Sequence, residues 1–223
     1  MATGGAAPAG AVLVGALVDP ASGESKVAFR SDKGWEDLKG QQVLKATLVA
    51  PPGTYELRAG VETPAGELLW SGAQRIDVPA SSQDFWVSNL ILSDHIFPMS
   101  RPQEMYEPFA WQGIVVVPKG DRTFPQGDVL WFYVHACQPQ LTDEGKPSLR
   151  LSMQLSGPAE FRGPVGVNPV KAGDHCWVLA QGLDLTPDKF LLGSYEMKVN
   201  VRDSAAAKTL VAGLNFKVVP AGG

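Results

Sequence analysis

The chain has 223 residues and a net charge of −4, with Lys+Arg 19 against Asp+Glu 23. Hydrophobic residues make up 44%, enough for a core, and charged residues only 19%, which excludes a disordered acidic or basic tail protein. The negative balance and the lack of a basic run argue against nucleic acid or anionic membrane as main partners.

No apolar run reaches the roughly 18 residues that span a bilayer. The nearest, 9–18 (AGAVLVGALV), comes after a small-residue lead-in, and the first positive side chain is Lys26. A signal peptide needs a basic region ahead of its apolar one. Residues 11–18 therefore read as a strand, and export is not encoded in this chain.

Period-two alternation dominates the rest of the chain. After a short helical candidate at 32–38, strands are expected at 43–50, 55–61, 67–70 and 74–78, the last two flanking a small-residue break at 71–73. Further strands are expected at 114–117, 129–137, 149–155, 177–180, 195–201 and 210–219. In YEMKVNV, Tyr195, Met197, Val199 and Val201 share one face and Glu196, Lys198 and Asn200 the other. Such a strand is half-buried and antiparallel. Turn signals recur every 8–15 residues, and no segment sustains a helical period. The pattern predicts an all-β protein of antiparallel β-sandwiches.

A repeat points to two of them. GTYELRAGV from Gly53 matches GSYEMKVNV from Gly193, and each is followed by a strand ending in Val-Pro, at Val78-Pro79 and Val219-Pro220. The reading is two tandem immunoglobulin-like sandwiches: domain 1 over 1–79, a linker over 80–94 and domain 2 over 95–223.

The pieces from Pro52 to Val61, then Val78-Pro79, then Leu90-Ile91-Leu92-Ser93-Asp94, are similar to the C-terminal β-sandwich region of exported bacterial proteins of the "VWFA-related" group. Large secreted proteins bearing a GWxTD domain carry similar sandwiches. The resemblance implies an extracytoplasmic (periplasmic, cell-surface or secreted), non-catalytic module of a larger assembly. The von Willebrand A domain itself is absent, for no D-x-S-x-S loop occurs. The fragment Gly34-Trp35-Glu36-Asp37 lacks the threonine of GWxTD. The family supplies no functional residues to carry over.

Cys137 and Cys176 permit one disulfide, two unlinked thiols, or a zinc site with His135 and His175. The disulfide is the leading candidate. Adjacent strand residues such as His175 and Cys176 point to opposite faces, which disfavours the metal. No G-x-S-x-G elbow, H-E-x-x-H helix motif, P-loop, dinucleotide fingerprint or EF-hand loop occurs, so the sequence predicts no enzyme and no cofactor.

One binding stripe stands out. On strand 129–137, Trp131, Tyr133 and His135 share a face opposite the apolar Leu130, Phe132, Val134 and Ala136. If that face is exposed, it is a platform for a glycan. If a long loop or a neighbouring domain covers it, it is core. The loop 97–112, with its prolines, methionines and aromatics, is either functional or a strap over an open sheet. The functional expectation is a binding or structural module acting through protein–protein contacts, with a carbohydrate-binding sandwich as the alternative.

Overall fold

The computed structural model describes residues 9–32, 34–36, 42–44, 46–78, 84–98, 109–111 and 113–221. Among them there is no helix, and the protein is all-β. The chain divides into two compact units, Met1–Ser82 and Gln83–Gly223.

The first unit contains β1 (Val12–Val18), β2 (Ser25–Ser31), β3 (Gly34–Glu36), β4 (Gln42–Leu44), β5 (Gly53–Glu62) and β6 (Leu68–Val78). A four-stranded antiparallel sheet runs β2-β1-β5-β6, and β3 pairs with β4 alone. The short helical candidate at 32–38 is overtaken by β3, and residues 46–50 carry no strand. The expected break at 71–73 is absent. Ser71, Gly72 and Ala73 stay in one continuous β6, paired with Gly60, Ala59 and Arg58. Small residues do not interrupt a strand whose partner supplies the ladder.

The ion pairs of this sheet lie on one face, where Arg30 meets Glu62 at 2.8 Å and Arg58 meets Glu56 at 2.5 Å. The registers place Leu13, Leu17, Phe29, Tyr55, Leu57, Val61 and Ile76 on the other. Leu17 and Tyr55 are buried there.

The second unit contains β7 (Trp86–Val87), β8 (Ile91–Ser93), β9 (His95–Pro98), β10 (Ala110–Trp111), β11 (Ile114–Val117), β12 (Thr123–Pro125), β13 (Val129–Cys137), β14 (Leu149–Ser156), β15 (Phe161–Val165), β16 (Val170–Gly173), β17 (Cys176–Asp184), β18 (Gly193–Asp203) and β19 (Lys208–Val219). Two sheets enclose its core. One runs β12-β19-β18-β14-β15, with β12 parallel to β19; the other runs β16-β17-β13-β7, with β8 also on β13. This is a β-sandwich, with β7, β8, β13, β17 and β16 in one sheet and β14, β18 and β19 adjacent in the other.

The core follows from alternation. Leu130, Phe132, Val134, Ala136 and Leu179 of one sheet meet Leu151, Met153, Leu155, Met197, Val199, Val201, Phe216 and Val218 of the other. The linker expected at 80–94 overlaps this unit. Phe85, Leu90 and Leu92 are buried in its core, and β7 and β8 pair with β13. Apolar side chains two residues apart carry the chain onto the sheet instead of leaving it free as a spacer.

The two repeat motifs occupy matching places. The order β2-β1-β5-β6 corresponds to β15-β14-β18-β19. Gly53 faces Val78 as Gly193 faces Val218, and Tyr55 faces Ile76 as Tyr195 faces Phe216. Each tyrosine hydroxyl donates to the backbone carbonyl four residues upstream, Tyr55 to Pro51 at 2.9 Å and Tyr195 to Leu191 at 2.8 Å. The same bond therefore closes the same corner in both units. Around Tyr195, Phe216 stacks at 5.2 Å, and Phe190 tilts in at 5.9 Å from a single turn closed by its N–H donating to the Thr186 carbonyl. In the first unit, the described residues show one such sheet and the β3-β4 pair; no second sheet equivalent to β7-β13-β17-β16 is among them.

Candidate functional site

Trp131, Tyr133 and His135 do share the outward face of β13, but they form no exposed stripe. Tyr133 is 1% exposed, in a second small core with Val116 and Val178. Ile91, Ile96, Phe109, Val170, Ala172 and Ala180 close around it. Ile96 and Val116 come from β9 and β11, which pair antiparallel and, with β10, form a three-stranded sheet. That sheet lies over the face that would have been the platform. A strand buried on both sides reads as a near-continuous apolar run, and VLWFYVHAC is one. Trp131 is half-buried and lies over its cross-strand neighbour Gly182, which leaves room for the indole.

His135 is held from three directions. Its Nε2 lies 2.6 Å from the Tyr133 hydroxyl, its N–H donates to the Ser88 hydroxyl at 2.9 Å, and its carbonyl accepts the Ser88 N–H at 2.9 Å. Burial lowers the imidazole pKa from 6.5, so the ring is held neutral. A neutral imidazole bonded to a phenol inside a covered face serves packing.

His95 sits where β8 passes into β9. Its Nδ1 lies 2.7 Å from Asp94, whose other carboxylate oxygen accepts from Lys119 Nζ at 2.5 Å. Burial acts to raise the Asp94 pKa, but the hydrogen bonds and charges of Lys119 and His95 together outweigh it and hold the carboxyl below 3.8. Beneath it, the fully buried Ser93 hydroxyl donates to the His95 carbonyl and accepts its N–H. The Lys119 N–H donates to the Leu92 carbonyl. The cluster thus clasps the start of the covering sheet to its end.

Cys137 and Cys176 are directly opposed on β13 and β17 and form a disulfide. Both sulfurs are committed to that bond, and among the described residues no group of three or more His, Cys, Asp or Glu side chains could hold a metal ion. His175, named with the cysteines as a conceivable ligand, is exposed in the β16–β17 turn.

The surface features that sequence reading missed are apolar. In the second unit Phe161, Leu191 and Leu192 are 45%, 52% and 48% exposed. They share one end of the sandwich, because Pro158, in the turn before Phe161, packs against Gly193, next to Leu192. A cleft of about 400 Å³ opens beside Phe161, lined also by Gln154, Ser156, Glu160 and Arg162. In the first unit Leu68 and Leu69, at the start of the sheet-edge strand β6, are 57% and 45% exposed. The visible signal was the adjacent apolar pairs Leu68-Leu69 and Leu191-Leu192, which break alternation so that one face cannot bury both.

No known family model matches the chain, and no curated protein matches it. No helix among the described residues is long and apolar enough to cross a membrane.

Proposed function

We propose that this chain is a non-catalytic binding or structural module of an exported bacterial protein, a pair of tandem immunoglobulin-like units related to the C-terminal sandwiches of the VWFA-related group. It acts through protein–protein contacts, with another protein or with other domains of its own assembly. The observation that carries the reading is the Cys137–Cys176 disulfide, a bond that persists in oxidising compartments and is rare in the cytosol. Two further observations support it. The histidines best placed to carry chemistry, His95 and His135, are engaged in clasping strands and packing a covered face. Some of the exposed large apolar side chains, Phe161, Leu191 and Leu192 at an end of one unit and Leu68 and Leu69 on an edge strand of the other, sit in positions suited to contact with another polypeptide.

The test is the intact mass of the protein from its native source, alkylated with and without prior reduction. Alkylation of Cys137 and Cys176 only after reduction is the expected result. If both thiols react without reduction, the protein resides in a reducing compartment and the export reading is refuted.

A further inference from the structure

We propose that Cys176 is a thiol–disulfide exchange site, at which a small thiol such as glutathione opens the bond to Cys137 while the fold stays intact. Three observations carry this. The bond joins directly opposed residues of adjacent antiparallel strands, and the two Cα atoms stand 4.0 Å apart. Disulfides usually hold them about 4.4–6.8 Å apart, and departure from that range makes the bond easier to reduce.

The backbone beside each sulfur is also unfavourable. Gln138, just after Cys137, has φ 56, and His175, just before Cys176, has φ 59. Both are left-handed non-glycine residues, a conformation that costs free energy and persists only where the surroundings enforce it. They face each other and are tied by the Gln138 N–H donating to the His175 carbonyl at 2.7 Å.

Access, finally, is one-sided. Cys137 is 1% exposed, whereas Cys176 is half-buried and lies just after the exposed Asp174 and His175 of the β16–β17 turn. β13 ends and β17 begins at this pair, so the ladder inward from it can remain closed.

The chemistry balances with two thiols. A thiolate attacks Sγ of Cys176, forming a mixed disulfide there; the Sγ–Sγ bond breaks, and Cys137 leaves as a thiolate and takes a proton. A second thiolate attacks the small-molecule sulfur of the mixed disulfide, releasing Cys176 as a thiolate, which is protonated in turn. The protein gains two electrons and two protons, and the two small thiols leave as their own disulfide.

The experiment treats the oxidised 223-residue chain with reduced glutathione, quenches with acid at intervals, and maps adducts by mass spectrometry, with circular dichroism recorded in parallel. The expected result is a glutathione adduct on Cys176, followed by two free thiols, with an unchanged dichroism spectrum. The rate should not rise in urea concentrations below the unfolding transition. An adduct on Cys137, or reduction that occurs only as the protein unfolds, overturns the proposal. A second measurement compares Cys137→Ser and Cys176→Ser reacting with oxidised glutathione. The lone Cys176 should react at least about tenfold faster than the lone Cys137, following exposure; equal rates overturn the proposal. The mass of the native-source protein, by contrast, reports whether the bond forms in the cell, so the two readings fail separately.

Discussion

Replacing Tyr195 by Phe removes one hydroxyl from a core that is otherwise unchanged. The ring is 2% exposed, stacked on Phe216 at 5.2 Å and against Phe190 at 5.9 Å, and phenylalanine keeps those contacts. What is lost is the 2.8 Å bond to the Leu191 carbonyl. A neutral hydrogen bond contributes about 1 kcal/mol net, and leaving a buried partner unsatisfied costs about 1–3 kcal/mol. The Leu191 side chain is 52% exposed, so water can reach that backbone and the cost stays near the lower figure. The expected loss is about 1 kcal/mol, a fall in the second unit's melting temperature of about 2–4 °C for a domain of this size. Tyr195→Ala removes the ring as well and should cost about 3–5 kcal/mol. Urea unfolding is the assay, with the midpoint falling and the slope unchanged. Tyr55→Phe should cost the first unit a similar amount through its bond to Pro51. If Tyr195→Phe leaves the midpoint where it was while Tyr195→Ala lowers it, the corner bond contributes nothing and the tyrosine is simply a core aromatic.

Other expectations rest on single contacts. Gly157→Ala places a methyl 2.6 Å from the Ser194 carbonyl oxygen and 2.9 Å from the Tyr195 ring, and overpacking of this kind costs about 1–3 kcal/mol, measurable by the same unfolding assay. His135 is held neutral with its pKa below 6.5, so between the two values the unfolded chain binds a proton that the folded chain refuses. The stability contributed this way is full above pH 6.5 and falls as the pH drops below it; unfolding titrations of His135→Gln should lack that slope. Asp94, held below 3.8, contributes stability that is present above pH 3.8 and lost as the pH falls through its folded value. Asp94→Asn should cost about 1.5–3 kcal/mol at neutral pH, and hydrogen exchange at Ile96 and Val116 should rise with it.

The sequence revealed the long strands whose apolar and polar residues alternate cleanly, but not β2, β15 or β16, whose alternation is broken by small and polar residues. β18 alternates buried and exposed along its whole length, and the pattern YEMKVNV shows it. It failed where strands are two or three residues long, as in β7 and β8, because no period can be counted there. It also failed at β12, where Thr-Phe-Pro looks like a turn and gains its strand character only from parallel pairing with β19. The candidate stripe shows the same limit. Apolarity on both faces of β13 was visible, and a cover was one of the two readings it allowed. The cover comes from Ile96, Phe109 and Val116, which lie outside β13, and no local pattern identifies them as its partners.

The repeat is real in three dimensions but differs from its form in the sequence. The two Val-Pro endings match Val78 with Val219, whereas the hairpin registers match Val78 with Val218. A shift of one residue turns a side chain to the other face, so the Val-Pro likeness is not a structural equivalence. What the units share is the corner and its register: a glycine two residues before the tyrosine, a hydroxyl bonded four residues back, and alternating charged residues on the open face. The glycine and the hydroxyl are demanded locally. Gly193 at φ 138 has Pro158 so close that a Cβ would lie 2.6 Å from it, and the tyrosine must span the core to reach the upstream carbonyl. The likeness between the motifs is therefore what this corner requires of any chain that builds it. Common descent of the two units would have to be argued instead from positions the corner leaves free, such as Leu13 and Leu17 of β1 against Leu151 and Leu155 of β14, which flank β5 and β18 in the same antiparallel sense.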